Sequence, residues 1–338
     1  INFKTNFGRN TDYYTGVVFL ASVKKNSKTI ELARGGEYNG LLRTLGYKKD
    51  IPAIGGAINL ISKKPSGEGM SAKVTLGNYG LRQSQLIADY EIGENIFTKV
   101  ILNSKKRGGY VTNDASPYQA AQGVVPNTVA DHLELNTIDS EGYKFTLAYE
   151  GDKTSFNLTF DQTDQDNIPP FAQLTNTIPN WSSAFGVGAS ALTGGLKLWP
   201  IELYKNDSRQ GVAHIDTPTY ELSVVQGTSF TISRDMNIGQ LKVIWAKRET
   251  QWDDRLDLDG GPFPIADTER HTSYDAESLE IQLSGATDNM EYVFGYYSLK
   301  DDAFTSNPQS FFGGGSVFAQ NYSGSGDSEA FFGRITWA

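Results

Sequence analysis

From about residue 70 onward, apolar and polar side chains alternate one for one, and this restricts the chain to sheets with one greasy face and one wet face. Tyr143, Phe145, Leu147 and Tyr149 alternate with Lys144, Thr146, Ala148 and Glu150. The next segment repeats the pattern, with Phe156, Leu158 and Phe160 set against Ser155, Asn157, Thr159 and Asp161. Leu241, Val243 and Trp245, then Leu279, Ile281 and Leu283, then Phe331, Ile335 and Trp337 mark further strands. Ten strands are predicted, over 70–79, 83–92, 96–107, 143–150, 154–162, 222–235, 240–250, 276–286, 290–300 and 328–338.

Two kinds of connection alternate between them. Gly93-Glu94-Asn95, Gly151-Asp152-Lys153, Asn237-Ile238-Gly239 and Thr287-Asp288-Asn289 are tight hairpin turns, built from residues that tolerate unusual backbone angles. The other connections read as long loops over 108–142, 163–219, 251–274 and 301–327. Tight turns at one end and long loops at the other are what a bacterial outer-membrane barrel needs, with the turns periplasmic and the loops at the cell surface. A soluble sandwich has no reason to gather its long loops at one end. In such a barrel Tyr143, Phe145, Leu147, Phe156, Leu158 and Phe160 should face lipid, and Lys144, Thr146, Asn157 and Thr159 the lumen.

Composition agrees. No stretch approaches the ~20 apolar residues of a membrane-spanning helix, whereas barrel strands cross with ~10 residues of alternating character. With 35 Gly, 17 Tyr and 18 Phe against 3 Met, the chain leans towards an all-β fold. The absence of cysteine excludes disulfides, thiolate zinc sites and thiol nucleophiles together. A net charge of −9 argues against a general nucleic-acid surface.

His132, His214 and His271 share no metal-ligand spacing, so no protein-held metal is expected. The run Asp253-Asp254-Arg255-Leu256-Asp257-Leu258-Asp259-Gly260-Gly261 lacks the spacing and closing Glu of an EF-hand. It reads as a solvated acidic loop open to adventitious calcium. No Ser/His/Asp, Cys/His or paired-carboxylate arrangement points to catalysis, and neither an enzyme nor a cofactor is expected.

The first 69 residues differ from the rest. They lack sustained alternation beyond Gly16 to Leu20, are dense in Gly, Lys, Asn and Tyr, and read as a separate compact α/β segment.

Ile54-Gly55-Gly56-Ala57-Ile58-Asn59-Leu60-Ile61-Ser62-Lys63-Lys64-Pro65 resembles the end of the plug domain of TonB-dependent outer-membrane transporters. Ile30 to Gly35 resembles the strand and turn before it, and Ser71 to Gly80 the first barrel strand. Ser278 to Leu283, Tyr292 to Tyr297 and Ala330 to Trp337 are similar to mid-barrel segments of the family, in the same order. The resemblance implies a plug inside an antiparallel transmembrane barrel of about 22 strands. Residues 1–69 would be the C-terminal part of the plug and 70–338 the first half of the barrel.

The implied function is active import of a scarce, bulky nutrient across the outer membrane of a Gram-negative bacterium. A ferric siderophore is the commonest ligand in the family; cobalamin, haem, glycans and peptides also occur. A passive porin is the rival from another class. Implied partners are outer-membrane lipid, a small-molecule or metal-chelate ligand, and the TonB energy-coupling complex, which acts through an N-terminal region not present here. Gly36 to Ala53 is longer than the family pattern, and the start of the plug and the terminal aromatic are missing, so a partial chain is expected.

Within this resemblance Gly55 and Gly56, with Asn59, would form a plug turn that either moves during transport or simply tolerates positive φ. Arg34, beside Gly35, would pair with the barrel wall, either as a contact remade during transport or as a static one. Phe171, Trp181, Phe185, Trp199 and Tyr204, in the longest loop, offer large contact area to a ligand at little entropic cost. Their alternative role is to pack the loop's own core or the interfacial girdle.

Overall fold

Alternation at this period allows every backbone amide to pair with a neighbouring strand while the two faces keep opposite character. In the computed structural model, residues 63–116, 130, 133–176 and 205–337 are described, together with the backbone of three strands before them. The chain divides into two compact units, Ile1–Lys63 and Lys64–Ala338.

In the first unit β1 (Val18–Lys25), β2 (Lys28–Glu37) and β3 (Ile54–Ile58) form an antiparallel sheet in the order β1-β2-β3. Gly35 and Gly36 of β2 lie opposite Gly56 and Gly55 of β3, and Arg34 lies opposite Ala57. Among the described residues this unit has strands and no helix, where an α/β segment was expected. Asn59 lies outside the described residues.

The second unit is a ten-stranded antiparallel sheet. Its strands are β4 (Gly69–Leu76), β5 (Arg82–Gly93), β6 (Ile96–Arg107), β9 (Ile138–Glu150), β10 (Thr154–Asn167), β12 (Tyr220–Met236), β13 (Gly239–Asp257), β14 (Ala266–Thr287), β15 (Met290–Phe311) and β16 (Ser316–Trp337). Each pairs with the next along the chain, in the order β16-β15-β14-β13-β12-β10-β9-β6-β5-β4. The short strands β7 (Val111–Asn113), β8 (Glu134–Leu135) and β11 (Val212–Ala213) belong to a separate sheet within the long connections.

The register assigns the faces. Tyr149, Phe156, Ile232, Val243, Ile281, Tyr296 and Phe331 stand side by side across seven strands, an unbroken apolar row. Leu147, Leu158, Phe230, Trp245 and Leu279 form the next row on the same face. The opposite face carries Lys99, Thr146, Thr159, Ser229, Ala246 and Ser278 in one row. A face of rings and branched chains several strands wide is stable against lipid and costly against water, so the first face is the outer one.

Two strand ends differ from the sequence reading. Residues 251–274 and 301–327 are mostly strand rather than long loop: β13 and β14 are joined by 258–265, and β15 and β16 by 312–315. β14, β15 and β16 each run 22 residues, where about ten suffice to cross a bilayer. Beyond the membrane neither face meets lipid, so Asp, Ser, Thr and Asn replace the apolar positions. The hydrogen-bonded ladder continues while the hydropathy signal that marks it disappears. The tight turns 94–95, 151–153, 237–238 and 288–289 all fall at the opposite end of the sheet.

Candidate functional site

At that tight-turn end, the lumenal face holds a buried ion pair. Asp89 of β5 and Lys99 of β6 are register partners whose side chains are 3% and 8% exposed, with Lys99 Nζ 2.9 Å from Asp89 Oδ2. The pair also binds the chain entering the sheet. Asp89 Oδ1 accepts the amides of Ser66 (2.8 Å) and Gly67 (2.9 Å), and Lys99 donates to the carbonyl of Lys64 (3.0 Å). The junction leading into the first strand is thereby held to the bottom of two neighbouring strands.

Higher on the same face Arg248 of β13 reaches across β12 to Asp161 of β10, at 2.6 Å. Gly227, opposite both residues in the register, makes this reach possible: a Cβ there would lie 2.7 Å from the guanidinium carbon.

At the other end of the strands the long connections form a folded cap. β7 pairs with β11 in parallel and with β8 antiparallel. Val111, Leu135, Ala213 and Ile215 are buried together, flanked by Tyr110, Leu133, Ile168 and Phe171. Asn113, fully buried, donates to the carbonyls of Ala130 (2.8 Å) and Ile215 (2.7 Å) and accepts the amide of Ile215 (2.8 Å). One amide side chain therefore satisfies three backbone groups from two distant loops. Asn113→Ala should leave all three unsatisfied, at about 1–3 kcal/mol each. Hydrogen exchange at 111–113 and 212–215 should accelerate by about 100-fold or more while the strand amides of the sheet keep their protection.

Of the loop aromatics singled out in the sequence, Phe171 packs against this cap core; Trp181, Phe185, Trp199 and Tyr204 lie outside the described residues. A group the sequence reading missed lies beside them. The Arg107 and Arg209 guanidiniums sit 5.5 and 5.4 Å from the centre of the Tyr110 ring, and Tyr79 stands 5.6 Å from the same ring. Arg209 and Tyr79 are exposed, and among the described residues Arg209 makes no ion pair. Rings with guanidiniums stacked on them offer both flat contact and positive charge to an anionic ligand. These four residues are scattered between positions 79 and 209, with no spacing that would announce them.

The connection 258–265 is anchored by Phe263 and Ile265, packed with Leu174, Ala266 and Phe312. Beside it Asp216, Asp257 and Asp259 converge, one carboxylate oxygen of each within 4.8 Å of the others. Asp257 ends the 19-residue β13, well past the membrane crossing. Burial pushes Asp216 and Asp259 up to about 8, and raises Asp257 well above its ordinary range. Asp257 belongs to the run read from sequence as a solvated acidic loop, yet it is only 5% exposed.

No family model matches the chain. Several solved structures share its fold. The FpvAI–pyocin S2 complex aligns with a TM-score of 0.54 at 14% identity, over 90% of this chain and 42% of that one. The ferripyoverdine receptor of the outer membrane of Pseudomonas aeruginosa, bound to ferripyoverdine, gives 0.53 at 11%, over 85% and 37%. The chain has the antiparallel barrel sheet of the TonB-dependent outer-membrane receptors, and it spans roughly two-fifths of the length of these matched chains.

Curated relatives match only a short stretch. The ATP phosphoribosyltransferase regulatory subunit of Allorhizobium ampelinum is 47% identical over 55 residues, 16% of this chain and 14% of that protein. The cytoplasmic histidine–tRNA ligase of Dictyostelium discoideum is 38% identical over 60 residues, 18% and 12%.

Proposed function

We propose that this chain is part of an active outer-membrane importer that captures a ferric siderophore at the cell surface. The observation that carries this reading is the amphipathic ten-stranded sheet crowned by a folded cap, matched over 85% of the chain by the fold of a ferripyoverdine receptor. The Tyr79, Tyr110, Arg107 and Arg209 cluster supports an anionic, ring-bearing chelate over an uncharged nutrient. TonB coupling would supply the energy. Gly55, Gly56, Arg34 and Asn59 would belong to the plug within the lumen, and the Asp89–Lys99 clamp would hold the junction below it.

The folded protein in detergent should quench its tryptophan fluorescence saturably with a ferric siderophore and not with cobalamin or haem. Arg209→Glu should weaken that binding. Non-selective passage of small solutes through the protein in liposomes, with no saturable ligand, would instead identify a passive channel.

The alternative for the first unit is a soluble segment outside the lumen. Cysteines introduced at Gly35 and Lys144 discriminate between the two. A crosslink between them supports the plug; full labelling of position 35 by a bulky maleimide supports the soluble segment.

A further inference from the structure

We propose that Asp216, Asp257 and Asp259 bind one divalent cation of the calcium class, fastening two cell-surface segments to each other. The three carboxylates arrive from separate places: Asp216 from the stretch after β11, Asp257 from the end of β13, and Asp259 from the connection 258–265. Two residues of that connection shape the approach. Asp257 Oδ1 accepts the amide of Gly260 (2.6 Å), while Asp259 accepts those of Gly261 (2.9 Å) and Ala266 (2.8 Å). Gly260 itself has φ +69°, and a Cβ there would lie 2.2 Å from the carbonyl oxygen of Ala172, so the turn has one available shape.

The observation that asks for a ligand is the other oxygen of Asp257. Oδ2 is buried and makes no hydrogen bond, on a residue 95% shielded from solvent. Among the described residues no lysine, arginine or histidine forms an ion pair with Asp257 or Asp259; Arg255, the nearest basic residue in sequence, is turned to Asp267 at 3.5 Å. A buried carboxylate oxygen without a hydrogen bond or counter-charge, as at Asp257, is costly.

The donor chemistry narrows the class of ion. Calcium holds its oxygens at about 2.4 Å, so two on opposite sides stand about 4.8 Å apart; magnesium requires about 4.2 Å and a stricter octahedron. One carboxylate oxygen of each residue lies within 4.8 Å of the others, inside the span that a single calcium ion bridges. An all-oxygen donor set without nitrogen or sulfur gives no preference for zinc or copper. Binding would join the stretch that carries Ile215, already fixed to the cap by Asn113, to the connection carrying Phe263.

The inference requires only the fold of the second unit and is independent of what the protein imports. The full chain, folded in detergent and stripped with chelator, is dialysed against radioactive calcium. One equivalent per chain is expected, with a dissociation constant of about 10⁻⁴ M to 10⁻³ M, as for extracellular calcium modules. Magnesium should compete weakly. Asp257→Asn should lower calcium affinity by about 10-fold or more, whereas Asp288→Asn, in an exposed tight turn at the other end, should not change it.

Hydrogen exchange supplies a second check, separate from the count of bound calcium. Calcium should slow exchange at 258–266 in the parent protein and not in Asp257→Asn, while without calcium the variant should be protected at least as well as the parent. Absence of saturable binding up to about 10 mM, or unchanged affinity in Asp257→Asn, overturns the proposal. So does a loss of protection in the calcium-free variant, which would make the carboxylate a structural acceptor only.

Discussion

Asp89→Asn should lower the unfolding free energy of the sheet by about 3–5 kcal/mol, because it leaves the Lys99 ammonium buried without its carboxylate counter-charge. The full value applies here because both side chains are less than a tenth exposed, so water cannot screen the loss as it would for a surface pair. The double variant Asp89→Leu/Lys99→Met should recover only part of that loss. Removing both charges restores neutrality, yet the amides of Ser66 and Gly67 still lose the acceptor that Asp89 provided. Urea unfolding in micelles measures both. A single-variant loss below about 1 kcal/mol would show the pair to be no more than a surface-like contact.

The second large effect concerns the ligand. Excision of residues 177–204, with a short Gly-Ser bridge from Asn176 to Lys205, should leave sheet and cap folded and weaken ligand binding by about 100-fold or more. The excised piece contains Trp181, Phe185, Trp199 and Tyr204, and one or two aromatic anchors of the hot-spot kind are worth that much. The closure is sound because the two ends already meet. The amide of Asn206 donates to the carbonyl of Leu174 at 2.9 Å, and Gln173 donates to the carbonyls of Asn206 and Ser208. Circular dichroism and ligand titration read the two properties separately. Unchanged affinity would move the binding site to the Tyr79 and Tyr110 cluster or to residues beyond this chain.

How much could be read in advance depends on range. Tyr143 to Glu150 revealed its strand because lipid on one side and a wet lumen on the other impose an alternation that a single segment displays by itself. The same strands above the membrane lost that signal: 266–274 and 301–311 continue the ladder, broken between β14 and β15 only at Glu269 and Arg270, but their side chains answer to water on both sides. The site was less legible still. Asp89 with Lys99, Asn113 with Ile215, and Asp216 with Asp257 are relations between residues brought together by the fold, and each is an ordinary residue in its own segment. Phe171 shows the converse, a residue whose local surroundings suit a ligand contact and whose neighbours in space are Val111, Leu135, Ala213 and Ile215.

The bond between Asn113 and Ile215 spans 102 residues, and it imposes an order of events on the nascent protein. Between the two lie β9 and β10, so this link can form only when both hairpin arms have been laid into the sheet and the chain has returned to the surface side. Contacts this distant in sequence form late, since the loop they close must be ordered first. Until then Val111 and Leu135 wait without Ala213 and Ile215 to cover them, and the top of the growing sheet stays open. The cap is accordingly a completion signal: a molecule whose outer layer is closed has already laid two more strands into the sheet than the one that presents Asn113 alone.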